Sequence, residues 1–272
     1  MPGPYLDYYR RVAERMLPFV AGRRIAIEQQ FPGSQSLVYR RHAGAKDGDS
    51  WIRIGSRAEL ESWARQYAVG IHAHILSETG EFWFAIDIDA RDLPLEMARI
   101  AAEHSADVLS GQGLAPLIKF SGSNGFHLMW ATREIRAAPE DELWELGRSV
   151  VRAVACEVER RLESDQRAEP LRQAVGNGNA LITTANADHE HASALLFDEF
   201  ILKDNANFRV PYSVHPKTGL VAAPLTRTRL ETFVPEDASP DAVSGDWSDP
   251  PLPTHGLESV RHALEAWHRD GC

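Results

Sequence analysis

The stretch Phe82–Ala90, FWFAIDIDA, decides how this chain is read. In an extended conformation Phe82, Phe84, Ile86 and Ile88 share one side, and Trp83, Ala85, Asp87 and Asp89 share the other. Both sides are apolar until the carboxylates arrive, so the strand is expected to be covered on both faces. Two like charges two residues apart at the end of a buried strand repel each other and lose hydration. A divalent cation removes both objections, because Mg²⁺ or Mn²⁺ takes carboxylate oxygen and such a pair closes on one ion or bridges two. The competing reading is a strand end that opens to solvent, with Asp89 starting the turn into ARDLP.

Downstream, KFSGSNGFHLMW (119–130) reads as a hairpin whose Gly122 and Gly125 permit a tight connection with amides free to meet an anion. Ser121, Ser123 and His127 together suit a phosphate oxygen, with the histidine contributing a proton or a positive charge; the bland alternative is a satisfied core histidine. No G-x-x-x-x-G-K-[ST] string is present, so this is not a Walker loop. Farther on, LLFDEFILKDNANFRVPYSVHPKTGL (195–220) places Asp198 in an apolar run that reads as a strand. Ser213, His215 and Lys217 then alternate, with Arg209 on the same parity. Extended, they form a ladder of hydroxyl, imidazole and ammonium suited to a triphosphate; the alternative is a hairpin turned by Pro216 and Gly219 with its polar groups in water. The KTG string does not signal a serine β-lactamase, because no serine here has a lysine three positions later. DHEH (188–191) and HAH (72–74) lack zinc-enzyme spacing and read as a polar loop and a strand.

The rest of the chain bounds the problem. Its 272 residues, 43% hydrophobic and 25% charged, suffice for a buried core and argue against disorder. No apolar run reaches the roughly 18 residues of a membrane span, and the N-terminus lacks a signal-peptide core. Cys156 and Cys272 cannot build a disulfide framework or a four-thiolate zinc site. The expectation is therefore a soluble cytoplasmic protein. Its net charge of -10 argues against a broad phosphate-binding face. Only four lysines occur among 29 Lys+Arg, a skew that fits a GC-rich coding genome.

Helical spacing of apolar residues marks helices near 6–17, 58–68, 97–108, 139–162 and 257–267. Short strands fall near 36–39, 51–54, 82–89, 116–120, 126–131, 195–202, 207–214 and 220–225. The Pro-, Asp- and Ser-rich stretch 235–253 reads as a linker to a closing helix. Strands and helices interleave without regular alternation, so the fold class is α+β rather than a doubly wound parallel sheet.

Together these segments resemble the archaeo-eukaryotic primase superfamily: a D-x-D strand (Asp87, Asp89), an S-G-x-x-G-x-H turn (Ser121, Gly122, Gly125, His127), and a third aspartate (Asp198) followed by the PYSVHPKTGL ladder. SVHPKTG is similar to the small catalytic subunit of replicative primases. The N-terminal strings YLDYYRRVAERMLPFVAGRR, FPG, VYRRHAG, DSWIRI and AELESWARQYAVGIHAHIL are similar to the polymerase domain of bacterial DNA ligase D. The likeness runs from about Tyr5 to Leu225. It implies a two-layer primase-polymerase core, an RRM-like sheet with flanking helices plus a second small α/β layer, spanning 1–234, with 235–272 packed on it.

The resemblance further implies template-directed nucleotidyl transfer, adding NTPs or dNTPs to a DNA primer end. Asp87, Asp89 and Asp198 would hold two Mg²⁺ or Mn²⁺ ions, and Ser121, His127, Arg209, Ser213, His215 and Lys217 would grip the triphosphate. Arg41 would meet a template 5′-phosphate. The implied roles are DNA repair by end joining, gap filling, or priming in replication or defence. A separate ligase, Ku-like or helicase protein is an implied partner, in the nucleoid-associated cytoplasm without membrane. The primase zinc knuckle is absent, ADHEHAS stands where ligase relatives tend to be basic, and no ligase or nuclease domain is attached. Two other readings are a catalytically inactive nucleic-acid binding module of the same fold and a metal phosphohydrolase.

Overall fold

A computed structural model describes residues 3–34, 36–44, 50–133, 135, 138–184 and 194–272. The chain opens with α1 (Leu6–Val20), β1 (Ile25–Gln29), β2 (Val38–Arg40), α2 (Arg57–Arg65) and β3 (Ala68–His74). There follow β4 (Phe82–Asp89), α3 (Leu95–Gly111), β5 (Leu117–Phe120), β6 (Gly125–Thr132), α4 (Glu140–Ser164), α5 (Glu169–Val175), β7 (Ile182–Thr183) and β8 (Leu195–Phe197). After β9 (Asn207–Arg209) and β10 (Pro224–Leu225) come α6 (Arg227–Thr232), α7 (Pro240–Ser244) and α8 (Leu257–Arg269). The expected α+β class holds.

Two sheets result. The smaller has the order β2-β1-β3-β9, and α1 and α2 pack against its β3. The larger has the order β10-β5-β6-β4-β8-β7, and α3 and α4 pack on it. Within the larger sheet the chain runs β4-α3-β5-β6-α4-β8 and its strands lie β8-β4-β6-β5. This is the split βαβ arrangement of RNA-recognition and ferredoxin-like domains. Each crossover inserts an antiparallel strand between two parallel ones, and right-handed crossovers put both helices on the same face.

The alternation read in FWFAIDID is what this sheet uses. Phe82 and Phe84 face the helices, with the Phe82 ring 5.0 Å from Trp144 of α4 and the Phe84 ring stacked at 5.3 Å on Trp130 of β6. Phe82 through Ile86 are all buried, as the double-sided apolar pattern requires. The other face receives the smaller sheet, whose Phe208 on β9 lies 4.6 Å from the His127 ring on β6. The candidate residues Asp87, Asp89, His127 and Arg209 therefore sit at the seam of two sheets, on β4, β6 and β9.

Three local readings are corrected. The apolar run around Asp198 is not one strand: β8 ends at Phe197, Asp198 caps a 3₁₀ turn over Glu199–Ile201, and its carboxylate accepts the Phe200 amide. Past β9 the chain is not extended through the ladder, because Tyr212 takes a left-handed φ of 69° and breaks the alternation. Residues 235–253 are not a free linker. Trp247 Nε1 donates to Pro224 O at 2.7 Å, Ala131 N donates to Pro253 O at 2.8 Å, and Asp249 pairs with Arg15 at 2.7 Å. Cys156 of α4 and Cys272, 116 positions apart, form a disulfide that ties the chain after α8 to α4. Among the described residues no helix is long and apolar enough to cross a membrane. The DHEH tetrapeptide lies outside the described residues, whereas HAH ends β3 as read.

Candidate active site

The register of the larger sheet assembles the site. Asp87 on β4 stands opposite His127 on β6, and His127 stands opposite Lys119 on β5, so three ionisable side chains form one row across three strands. The next pair is Asp89 opposite Gly125. A Cβ at Gly125 would lie 2.0 Å from the Ile88 carbonyl oxygen, so only glycine lets the turn approach β4 there. Gly122 has φ +91°, and a Cβ on it would meet Cβ of His215 at 2.8 Å. Thr218 Oγ1 donates to Gly122 O at 2.5 Å. Both glycines of the motif thus serve close approach, one to the acidic strand and one to the ladder.

A cleft of about 360 Å³ opens over this row, lined by Asp87, Asp89, Ser121, His127, Arg209, His215 and Lys217 among the residues singled out in the sequence. Asp198 adjoins it, its backbone amide donating to Asp87 O at 2.9 Å. Ser213 does not reach it. That side chain is fully buried and its Oγ accepts the Ile71 amide at 2.7 Å, which braces β3 rather than the cleft. Arg41 lines a separate hollow with Tyr39, His42 and Trp51, and its Nε is buried without a hydrogen-bond partner.

Other lining groups were not foreseen. His72 of β3 enters the cleft, as does Asn207 of β9. His72 Nε2 lies 3.2 Å from Glu28, which also takes Arg209 Nη2 at 3.0 Å, while Arg209 Nη1 donates to Val214 O. Glu28 carries no local sequence signal, since only pairing of β1 with β3 and of β3 with β9 brings it to Arg209. Lys119 could have been found: a hairpin closed by SGSNG sets Lys119 opposite His127.

The electrostatics divide the carboxylates. Burial pushes Asp89 and Asp198 up, the charge of Asp87 adds to it, and the amides of Arg91 and Phe200 oppose it. Burial acts on Asp87 in the same sense, but its contact with His127, helped by Lys119 and Arg209, brings it below its ordinary value. Glu28 is likewise penalised by burial, yet His72 and Arg209 hold it at about 2. Burial first, then neighbouring cations, lower His72, His127 and His215 each to about 4. The cleft thus holds neutral imidazoles above an ionised Asp87, and Nδ1 of His215 is buried with no hydrogen-bond partner.

The carboxylates fit a hard divalent cation in donor type. One oxygen of Asp89 accepts the Arg91 amide at 2.6 Å and one of Asp198 the Phe200 amide at 2.9 Å. Each keeps a second oxygen, and carboxylate oxygen is what Mg²⁺ and Mn²⁺ select. As they stand, no three such groups among the described residues converge tightly enough to enclose an ion.

Comparison with known proteins agrees with the fold. The polymerase domain of Mycobacterium tuberculosis ligase D, solved in complex with DNA, superposes with a TM-score of 0.62 at 20% identity, covering 98% of this chain and 88% of that one. The small primase subunit PriS of Pyrobaculum islandicum is 32% identical over 145 residues, and that of Pyrobaculum calidifontis 32% over 144. Each match covers 52% of this chain and 46% of the relative, so the likeness spans about half the length of these primases. The family model of the ligase D primase-polymerase domain matches residues 3–245, past residue 234 and into the segment that reads as a linker. The chain therefore belongs to the ligase D primase-polymerase family, within the archaeo-eukaryotic primase superfamily.

Proposed function

We propose that this protein is a template-directed nucleotidyltransferase that adds NTPs or dNTPs to the end of a DNA primer. The observation that carries the reading is the junction of the acidic strand, the S-G-x-x-G-x-H turn and the His215–Lys217 loop around one cleft at the seam of the sheets. Asp87, Asp89 and Asp198 would hold two Mg²⁺ or Mn²⁺ ions. Bound there, such ions lower the pKa of an attacking 3′-hydroxyl and neutralise a leaving pyrophosphate. Lys217, His215 and Ser121 receive the triphosphate. Arg209 is already clamped by Glu28 and Val214 O, so it offers a fixed positive edge rather than a mobile side chain. Neutral His127 contributes a hydrogen-bond donor without adding charge. Ser213 acts as a brace.

Arg41 and its aromatic neighbours offer a second basic hollow suited to a template 5′-phosphate. The ligase D polymerase domain with this fold holds DNA; here a primed template is the proposed substrate, and end joining, gap filling or priming the proposed setting. A separate ligase, Ku-like or helicase protein would supply the remaining steps. A primer-extension assay with Mn²⁺ and labelled NTP or dNTP, beside Asp87→Ala, tests the reading. Extension that Asp87→Ala abolishes supports it. Triphosphate breakdown without extension would make the protein a phosphohydrolase, and DNA retention with neither would make it a binding module.

A further inference from the structure

Two positions past Asp89 the backbone is strained. Arg91 has a φ of 52°, in the left-handed region, where a residue with a Cβ meets steric resistance. Such a conformation persists only where the surroundings over-determine it. Two side chains hold this one, from opposite ends of the residue. Asp89 Oδ1 accepts the Arg91 amide at 2.6 Å, and Asn124 Nδ2 donates to the Arg91 carbonyl at 2.5 Å. The Asn124 backbone carbonyl also accepts the Ala90 amide at 2.9 Å, which carries the pairing of β4 with β6 one step past Asp89 and Gly125. That backbone bond needs no particular side chain at 124. The carboxamide adds a second bond, from a residue that lines the cleft.

The strain at a left-handed residue is comparable to the net worth of one hydrogen bond to a charged group. The Asp89 bond alone therefore leaves the turn near balance with its relaxed alternatives. It is also the bond that a cation weakens, because an ion on the carboxylate draws electron density from both oxygens. The hold from Asn124 acts on the carbonyl and is independent of the carboxylate. With Arg91 fixed, its amide occupies Oδ1, and Asp89 keeps one orientation with Oδ2 left over. With Arg91 released, the amide turns away and the carboxylate rotates.

We propose that Asn124 is a positioning residue: it locks Arg91 in the left-handed region and, through the Arg91 amide, sets the orientation in which Asp89 meets a divalent cation. The inference rests on the metal-binding reading of Asp89. An asparagine kept only to build its own turn behaves differently. Its loss affects the site equally, whatever residue stands at 91.

The test uses the full chain. In metal-free, ¹⁵N-labelled wild type the Arg91 amide should exchange slowly with solvent, and in Asn124→Ala about tenfold faster. In Mn²⁺ titrations followed by electron paramagnetic resonance, Asn124→Ala should bind on the order of 10-fold more weakly, as for other groups that orient a ligand. Glycine takes a positive φ without strain, so in an Arg91→Gly background the same substitution should cost roughly threefold or less. Equal losses in the two backgrounds overturn the proposal, as does unchanged Arg91 exchange in folded Asn124→Ala. A wild-type Arg91 amide without protection also overturns it, and that result needs no variant to fold. Failure of the metal reading looks different: the wild type binds no Mn²⁺, yet Arg91 exchange still quickens in Asn124→Ala.

Discussion

Asp89 and Asp198 carry charges that their surroundings resist, and this gives the site a measurable signature. Their pKa values are raised on folding by burial and by Asp87. The folded chain therefore binds protons more tightly than the unfolded one, and stability is lost as pH rises from the ordinary carboxylate value through the raised one. Metal-free Asp198→Asn and Asp89→Asn should melt at or above the wild type at pH 7, by roughly 1–3 °C. The wild type should gain stability on adding Mn²⁺, more at pH 8 than at pH 5, and both variants should lose most of that gain. Differential scanning calorimetry with and without Mn²⁺ decides it; a metal-free loss of several degrees would show these carboxylates to be structural. Lys217→Ala should weaken NTP binding about tenfold, the worth of one hydrogen bond to a charged group, and leave DNA affinity nearly unchanged. Equal losses in fluorescence titrations of the two ligands would remove Lys217 from the triphosphate site.

At the scale of elements, the site depends on the pairing of β4 with β6. Gly125→Ala places a methyl group against the Ile88 carbonyl and forces the strands apart beside Asp89. It should cost about 1–3 kcal/mol in urea unfolding, the usual penalty of overpacking, and abolish extension. A variant that keeps both would mean the turn need not approach the acidic strand. The parity of β4 and β6 was legible in the sequence because side-chain alternation is a local property with a period of two. The glycine turn was legible for the same reason. Alternation misled where the backbone leaves the extended region. Asp198 ends its strand because its own carboxylate caps the next turn. Tyr212, in the left-handed region, turns Ser213 inward while His215 and Lys217 still reach the cleft. Glu28 and His72 were not legible as site residues, since their contact with Arg209 comes from strands far apart in sequence.

At the scale of the whole molecule, composition spoke for charge and class but not for packing. The 235–253 stretch has the makeup of a linker, yet one tryptophan anchors it. The Arg229 guanidinium lies 3.6 Å from the centre of a Trp247 ring whose Nε1 holds a backbone carbonyl. Two cysteines cannot make a framework, but they make one tie across 116 positions. Cys272→Ser should lower stability under oxidising conditions by about 2–4 kcal/mol, the usual worth of a disulfide closing a long loop, and reductant should erase the difference. Urea unfolding with and without dithiothreitol checks both statements; a gap that persists under reductant would assign the loss to packing. On the proposed reading, a net charge of -10 means that DNA would be met by confined basic hollows. Affinity should therefore fall steeply with salt, at about 0.9 logarithmic units per phosphate neutralised for each tenfold rise.

The contact between Gly122 and His215, tightened by the bond from Thr218 to the Gly122 carbonyl, fastens the two loops that flank the cleft into a single jaw. In the proposed function, the triphosphate would meet that jaw as one surface. On the proposed reading, nucleoside mono- and diphosphates should bind this jaw more weakly than the triphosphate, and a bulky group on the terminal phosphorus should have to displace both loops together.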